Sequence, residues 1–198
     1  HAKMIGKSTG ALNLFFKVYD RYESYFYKKN IKPYRFKRNI NEGGYTKNIE
    51  ILFDQSTKIA KVNNFKKNTS NDFLFKENSQ DMVSVFYYLR NFFNKDDLDE
   101  NDEISIYMFF DSENYKLKIK YLSTEIINTN FGKILCHKIQ PYVQSGRLFK
   151  KNESLKMWIS ADNNKIPIRI KAELIFGSVR ADLDNFSNLN HPFEIKFD

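Results

Sequence analysis

From Tyr34 onward, apolar and polar positions alternate. Tyr34, Phe36 and Arg38 take turns with Arg35, Lys37 and Asn39 as far as Gly43-Gly44. Beyond the glycines, Tyr45, Lys47, Ile49, Ile51 and Phe53 oppose Thr46, Asn48 and Glu50. A period of two sends successive side chains to opposite faces of a strand, so two strands joined at the glycine pair are predicted. "DQSTK" (54–58) turns the chain into a short strand at "IAKV", and "NNFKKNTSND" (63–72) reads as a solvated loop. The period then changes. In "SQDMVSVFYYLRNFF" (79–93), Met82, Val85, Phe86, Leu89 and Phe93 form one helical stripe. Ser79 is the expected N-cap, and Asp81 in the first turn suits the positive end of the helix dipole.

After an acidic loop (94–103) the strand period returns. Ile104, Ile106, Met108 and Phe110 alternate with Ser105, Tyr107 and Phe109, and "DSEN" turns the chain. Tyr115, Leu117, Ile119 and Tyr121 then alternate strictly with Lys116, Lys118 and Lys120. "NTNFGK" (128–133) is a turn leading into "ILCHKIQPYV", and "SLKMWISADNNKIPIRIKAEL" (154–174) is a hairpin. In that hairpin Leu155, Met157 and Ile159 point one way, and Lys156, Trp158 and Ser160 the other. Pro167 marks an edge strand or a bulge, because it has no N–H to give to a ladder. Residues 8–27 fit a helix face and a strand alternation equally well; a short helix to about Lys17, then a strand through Tyr25 and Tyr27, is favoured. The whole describes a mainly β (α+β) antiparallel protein of six to nine strands with one long helix. A single domain over 1–198 is expected, with 187–198 as a loose tail or edge strand.

Composition adds a core to this pattern. With 41% hydrophobic residues, 19 Phe and 12 Tyr, the chain has the material to bury one. The net charge of +8 attracts anions only if it gathers on one face. Alternating lysines on several strands read as a solvated face. There is neither a recognition-helix pattern nor an aromatic-basic signature, so no nucleic-acid partner is expected. No apolar run is long enough for a transmembrane helix, and no signal peptide is visible in these residues.

Candidate chemistry is sparse. Cys136 and His137 are adjacent, but neighbours in a strand face opposite sides, so they form no dyad; a buried Cys beside an exposed His is expected. "DLDENDE" (97–103) begins like a calcium loop, yet Asp102 stands where glycine is needed and Met108 where a bidentate Glu belongs. The two glycines of "NEGGYTKN" belong to no phosphate-binding motif. His1, His137 and His191 are too scattered for a metal site. No catalytic residue, metal or cofactor is expected, and the protein is read as no enzyme. Trp158 is the exception on its polar face, covering the sheet under a loop or belonging to a binding surface.

Taken in order, "EGGYTKNIEILFD", "QDMVSVFYYLRNF", "FFDSENYKLKIKYLSTEIINTNFGK", "CHKIQP" and "WISADNNKIPIRI" resemble the domain of unknown function 3108 family over about residues 2 to 186. The family's usual glycine before the TE of "YLSTE" is Ser123 here. The resemblance implies a secreted or cell-envelope protein of the kind common in Bacteroidetes, periplasmic or outer-membrane-associated. It also implies a signal peptide and one or two strands upstream of His1. The fold it suggests is an antiparallel sheet curled into an open partial barrel, with the helix on its concave side. That arrangement would be similar to periplasmic lipoprotein carriers of the LolA/LolB kind. Apolar surface left open on such a sheet marks a binding site. The expected function is therefore non-enzymatic carriage of an apolar, lipid-like or lipoprotein-like ligand, with Phe86, Met108, Phe110 and Trp158 as the candidate ligand-binding residues. The alternative is a structural or protein-interaction module of the envelope with a filled core.

Overall fold

A computed structural model describes residues 1–10, 15, 17–142, 152–175 and 177–196, apart from the Lys95 side chain. Its strands are β1 (Ala2–Lys7), β2 (Tyr19–Phe26), β3 (Pro33–Glu42), β4 (Tyr45–Asp54), β5 (Ile59–Asn64) and β6 (Thr69–Leu74). Helix α1 (Ser84–Phe92) and a 3-10 turn (Lys95–Asp97) follow. Then come β7 (Glu103–Phe110), β8 (Glu113–Thr129), β9 (Gly132–Pro141), β10 (Leu155–Ser160), β11 (Pro167–Glu173) and β12 (Ser178–Asp182). The protein is mainly β, as its pattern predicts, but the strands form two six-stranded antiparallel sheets rather than one. Each is a meander, β1 to β6 in order and β7 to β12 in order. The helix favoured between Ser8 and Lys17 falls largely on residues outside those described.

The chain divides into two compact units. Unit 1 is His1–Asn91 with Ile106–Lys116, and unit 2 is Phe92–Ser105 with Leu117–Asp198. In unit 1 the glycine pair behaves as expected. Gly43 and Gly44 have φ of 53° and 92°, the left-handed geometry that closes a two-residue hairpin between twisted strands. Register then sorts the faces. Phe36 pairs with Ile51 and Arg38 with Ile49, while Lys37 pairs with Glu50 and Asn39 with Asn48. Phe36, Ile49 and Ile51 of the first set join the core with Tyr22, Phe53, Ala60, Val62, Phe75, Val83 and Phe109, and the second set lies on the opposite face.

Two expectations fail here, each for a physical reason. Residues 69–72, read as part of a loop over 63–72, belong to the edge strand β6, with Asn64 opposite Thr69 and Ile59 opposite Leu74. An edge strand needs one ladder and no buried face, so "TSND" carries no hydrophobic alternation. The helix begins at Ser84 rather than Ser79 because Gln80 is held extended: its N–H donates to Tyr107 O at 2.8 Å, and Phe109 N–H donates to Gln80 O at 2.9 Å. In β7, Ile106 and Phe109 are the buried residues, while Met108 and Phe110 are half-buried.

Asp81 replaces Ser79 as the N-cap. Its Oδ1 accepts the N–H groups of Val83 and Ser84, both at 2.8 Å, and its Oδ2 accepts the Ser24 hydroxyl at 2.5 Å. The side chain is fully buried, and desolvation lifts its pKa to about 6 against these hydrogen bonds. A carboxyl that holds its proton more tightly folded than unfolded stabilises the fold as pH falls and loses that stabilisation as pH rises from about 4 to about 6. Asp81→Asn keeps an acceptor for the cap and removes the titration. Relative to this variant, the native protein is expected to lose on the order of 3 kcal/mol between pH 4 and pH 7. Paired urea titrations across that range check it, and parallel curves would refute a buried ionised Asp81.

In unit 2, β8 keeps its lysines outside and buries Ile119 and Tyr121. Its register shifts between Tyr121 and Ser123. Strand β10 is covered on both faces. Met157 lies opposite Ile139, and Trp158 joins Ile127, Ile134, Cys136, Ile166 and Ile168 on the other side. Pro167 sits where β10 and β11 shift register, the bulge that the sequence allowed, though β11 is an inner strand. The residues read as a loose tail are anchored. Phe186, Leu189 and Phe193 pack on the Trp158 cluster, and Asn164 Nδ2 donates to the carbonyls of His191 and Pro192, each at 3.0 Å. Lys196 N–H donates to Lys133 O at 2.8 Å. At Gly132, with φ of 119°, a Cβ would meet Ile195 Cγ2 at 2.8 Å, so the tail's approach requires glycine.

Candidate functional site: a cation-lined groove in unit 2

Alternation puts Lys156, Trp158, Arg169, Lys171, Arg180 and Asp182 on one face of β10, β11 and β12. Register then assembles them into rows. Lys156 stands opposite Lys171, which stands opposite Arg180. The next row runs Lys138, Trp158, Arg169, Asp182. On the other side of the cations, Glu173 stands opposite Ser178. Together these rows border a groove of about 470 Å³ whose lining includes Lys138, Lys156, Trp158, Lys171, Glu173, Ser178 and Arg180.

The electrostatics within the groove are uneven. Trp158 is 5% exposed and donates its indole N–H to Glu125 Oε1 at 2.6 Å. Lys138 Nζ lies 5.2 Å and Lys171 Nζ 5.6 Å from the indole ring centroid, within cation–π reach. The indole hydrogen bond, aided by the Lys138 and Lys171 charges, holds the Glu125 carboxyl below the usual range. Lys138 shares Glu125 at 3.5 Å. Asp182 takes Arg180 at 2.6 Å and also Arg169; these guanidinium contacts, Arg180's first, lower its pKa. Among the described residues, Lys156 and Lys171 have no ion-pair partner. Like charges directly opposite on neighbouring strands destabilise a sheet. A Lys-Lys-Arg row in register is therefore a cost, offset at Arg180 by its ion pair with Asp182.

The expected ligand residues separate. Trp158 lies in this groove. Phe86, on α1, and Met108 and Phe110, on β7, belong to unit 1 and are half-buried. Arg38 Cζ sits 4.7 Å from the Phe110 ring centroid, and the cavity that Phe110 lines with Phe36, Ile49, Ile51 and Val62 measures about 10 Å³. Lys138, Arg180 and Glu125 were missed by sequence reasoning, because they come from strands outside the hairpin that carries Trp158. Cys136 is fully buried and its thiol is pushed up to about 12 by desolvation, while His137 turns to Thr124 Oγ1 at 2.9 Å. Acidic residues 99–102 close on themselves, Asp102 Oδ2 accepting Asp99 N–H at 2.9 Å. No cluster of three metal-ligating side chains occurs among the described residues.

Fold and site together define a mainly β protein of two antiparallel sheets, with an open, cation-lined groove in one unit. The chain belongs to the family described as "Protein of unknown function (DUF3108)", whose model matches residues 1–184. Among solved structures it is similar to a β-barrel-like protein of domain of unknown function DUF1849 from Brucella abortus. That likeness covers 83% of this chain and 71% of the other, at 9% identity and a TM-score of 0.52, and is one of fold alone. No curated protein matches. No helix among the described residues is long and apolar enough to cross a membrane.

Proposed function

We propose that this chain is a non-enzymatic binding module of the cell envelope, periplasmic or secreted, whose ligand is anionic and sits in the groove over Trp158. The observation that carries the reading is the in-register row Lys156–Lys171–Arg180. Two of its cations have no carboxylate partner among the described residues, beside a groove of ligand size. The high pKa of the buried Cys136 thiol argues against that side chain as a nucleophile, since only the thiolate is effective. Carriage of an acyl chain among Phe86, Met108 and Phe110 is the weaker reading. The cavity beside Phe110 is about 10 Å³, against roughly 300 Å³ for a ligand pocket.

Trp158 is the sole tryptophan, so its emission reports on the groove. Titrating the full chain with inorganic tripolyphosphate should give a saturable change that weakens with salt. Lys156→Gln with Lys171→Gln is expected to abolish it. Lys116→Gln with Lys118→Gln removes the same charge from β8 and should leave it intact. Equal loss in both double variants, or no response in the native chain, would overturn the proposal.

A further inference from the structure

The groove has a second ordered feature. Its cationic row is flanked on one side by Glu173 and Ser178, directly opposite each other on β11 and β12 and both exposed. Same-face rows along a strand lie about 7 Å apart, and neighbouring strands about 4.8 Å apart. The face is thus a lattice, with anion-binding groups in one row and hydrogen-bond acceptors in the next. Glu173 repels a plain polyanion but accepts hydrogen bonds, so a ligand that carries hydroxyl donors as well as negative charge suits both rows.

We infer that the occupant is an acidic polysaccharide, a chain of uronate sugars lying across β10, β11 and β12; this rests on the anionic-ligand reading above. Each uronate residue carries a carboxylate at one edge of its ring and hydroxyls at the other. Its ring width matches the separation of the rows, and its advance along the chain is close to one strand spacing. The carboxylates on one side of the chain meet the row of Lys156, Lys171 and Arg180, and ring hydroxyls donate to Glu173 and exchange hydrogen bonds with Ser178. Single-stranded nucleic acid fits less well. It binds through bases stacked on open aromatic faces, and the Trp158 indole is buried, with the Lys138 and Lys171 ammonium groups beside it.

The test titrates the full chain, following Trp158 emission, with galacturonate and its linear oligomers of two to five residues. The methyl-esterified trimer, tripolyphosphate and a thymidine oligonucleotide of matched charge are the comparisons. Affinity is expected to rise about tenfold from monomer to trimer and then level off, because the row holds three cations. The neutral ester should not bind. Glu173→Gln separates the ligands: it should weaken the uronate trimer several-fold, by removing a charged acceptor, and strengthen tripolyphosphate, by removing a like charge. Tripolyphosphate binding with no gain from monomer to trimer would overturn this inference and leave the anion groove standing. So would parallel responses of both ligands to Glu173→Gln, or tighter binding of the oligonucleotide. Failure of every anion to bind would sink both readings.

Discussion

Phe109→Ala is expected to cost about 3–5 kcal/mol of stability, the range for removing a buried aromatic ring from a core that cannot close over the gap. Phe109 is 1% exposed. Its ring centroid lies 5.8 Å from Phe53, 6.3 Å from Phe73 and 6.5 Å from Phe75, so the variant also loses edge contacts that add to plain burial. Its main-chain N–H ties Gln80 to β7, and a disturbed Phe109 loosens the segment that delivers Asp81 to the start of α1. Phe110→Ala is the control. That side chain is half-buried and the Arg38 guanidinium lies over its ring, so about 1 kcal/mol is expected. Urea unfolding followed by circular dichroism gives both numbers. If Phe110→Ala were the costlier change, Phe110 would be the core residue and the face assigned here to β7 would be wrong.

Those two neighbouring residues also show what the sequence could and could not say. In β3, β4 and β8 polar residues interrupt the apolar ones at every second place, so the core side is written in the chain. "YMFF" at 107–110 has no such interruption, and both of its faces look apolar. Only Gln80 pairing alongside Met108 and the aromatic group around Phe53 show which face is covered. The start of α1 was hidden in the same way. "SQD" makes a sound cap by local rules, and a hydrogen bond to a strand distant in sequence overrides them. Edge strand β6 was lost because solvation erased its pattern.

The groove was half legible. Trp158 stood out as an aromatic residue among bases on its strand face; it is buried there in an apolar cluster, with Lys138 and Lys171 beside the ring. The row through Lys171 to Arg180 depends on β12 lying beside β11. The Lys138 contact likewise depends on β9 lying beside β10. Alternation within one hairpin contains neither fact. A cluster made by register between strands is invisible until the strand order is known.

Trp158→Ala should cost about 3–5 kcal/mol, since it empties a large site between the sheet and the residues that cover it. The more informative change is Trp158→Phe. It keeps most of the apolar contact and removes the indole N–H, leaving Glu125 without its nearest donor. Glu125 is 39% exposed at its side chain, so solvent replaces part of the lost bond and the expected cost is about 1 kcal/mol at neutral pH. The pH dependence gives the cause away. In the native protein the Glu125 carboxyl is held below its ordinary value, first by the indole. A depressed acid stabilises the fold above its unfolded pKa, near 4.5, and loses that contribution as pH falls through the lower folded value. The gap between Trp158→Phe and the native chain should therefore be full at pH 6 to 7 and shrink below about pH 4. A gap that stays constant to low pH would mean that the loss is one of packing alone. Glu125 would then have no part in holding the indole between the two lysines, and the groove's floor would be fixed by shape rather than by charge.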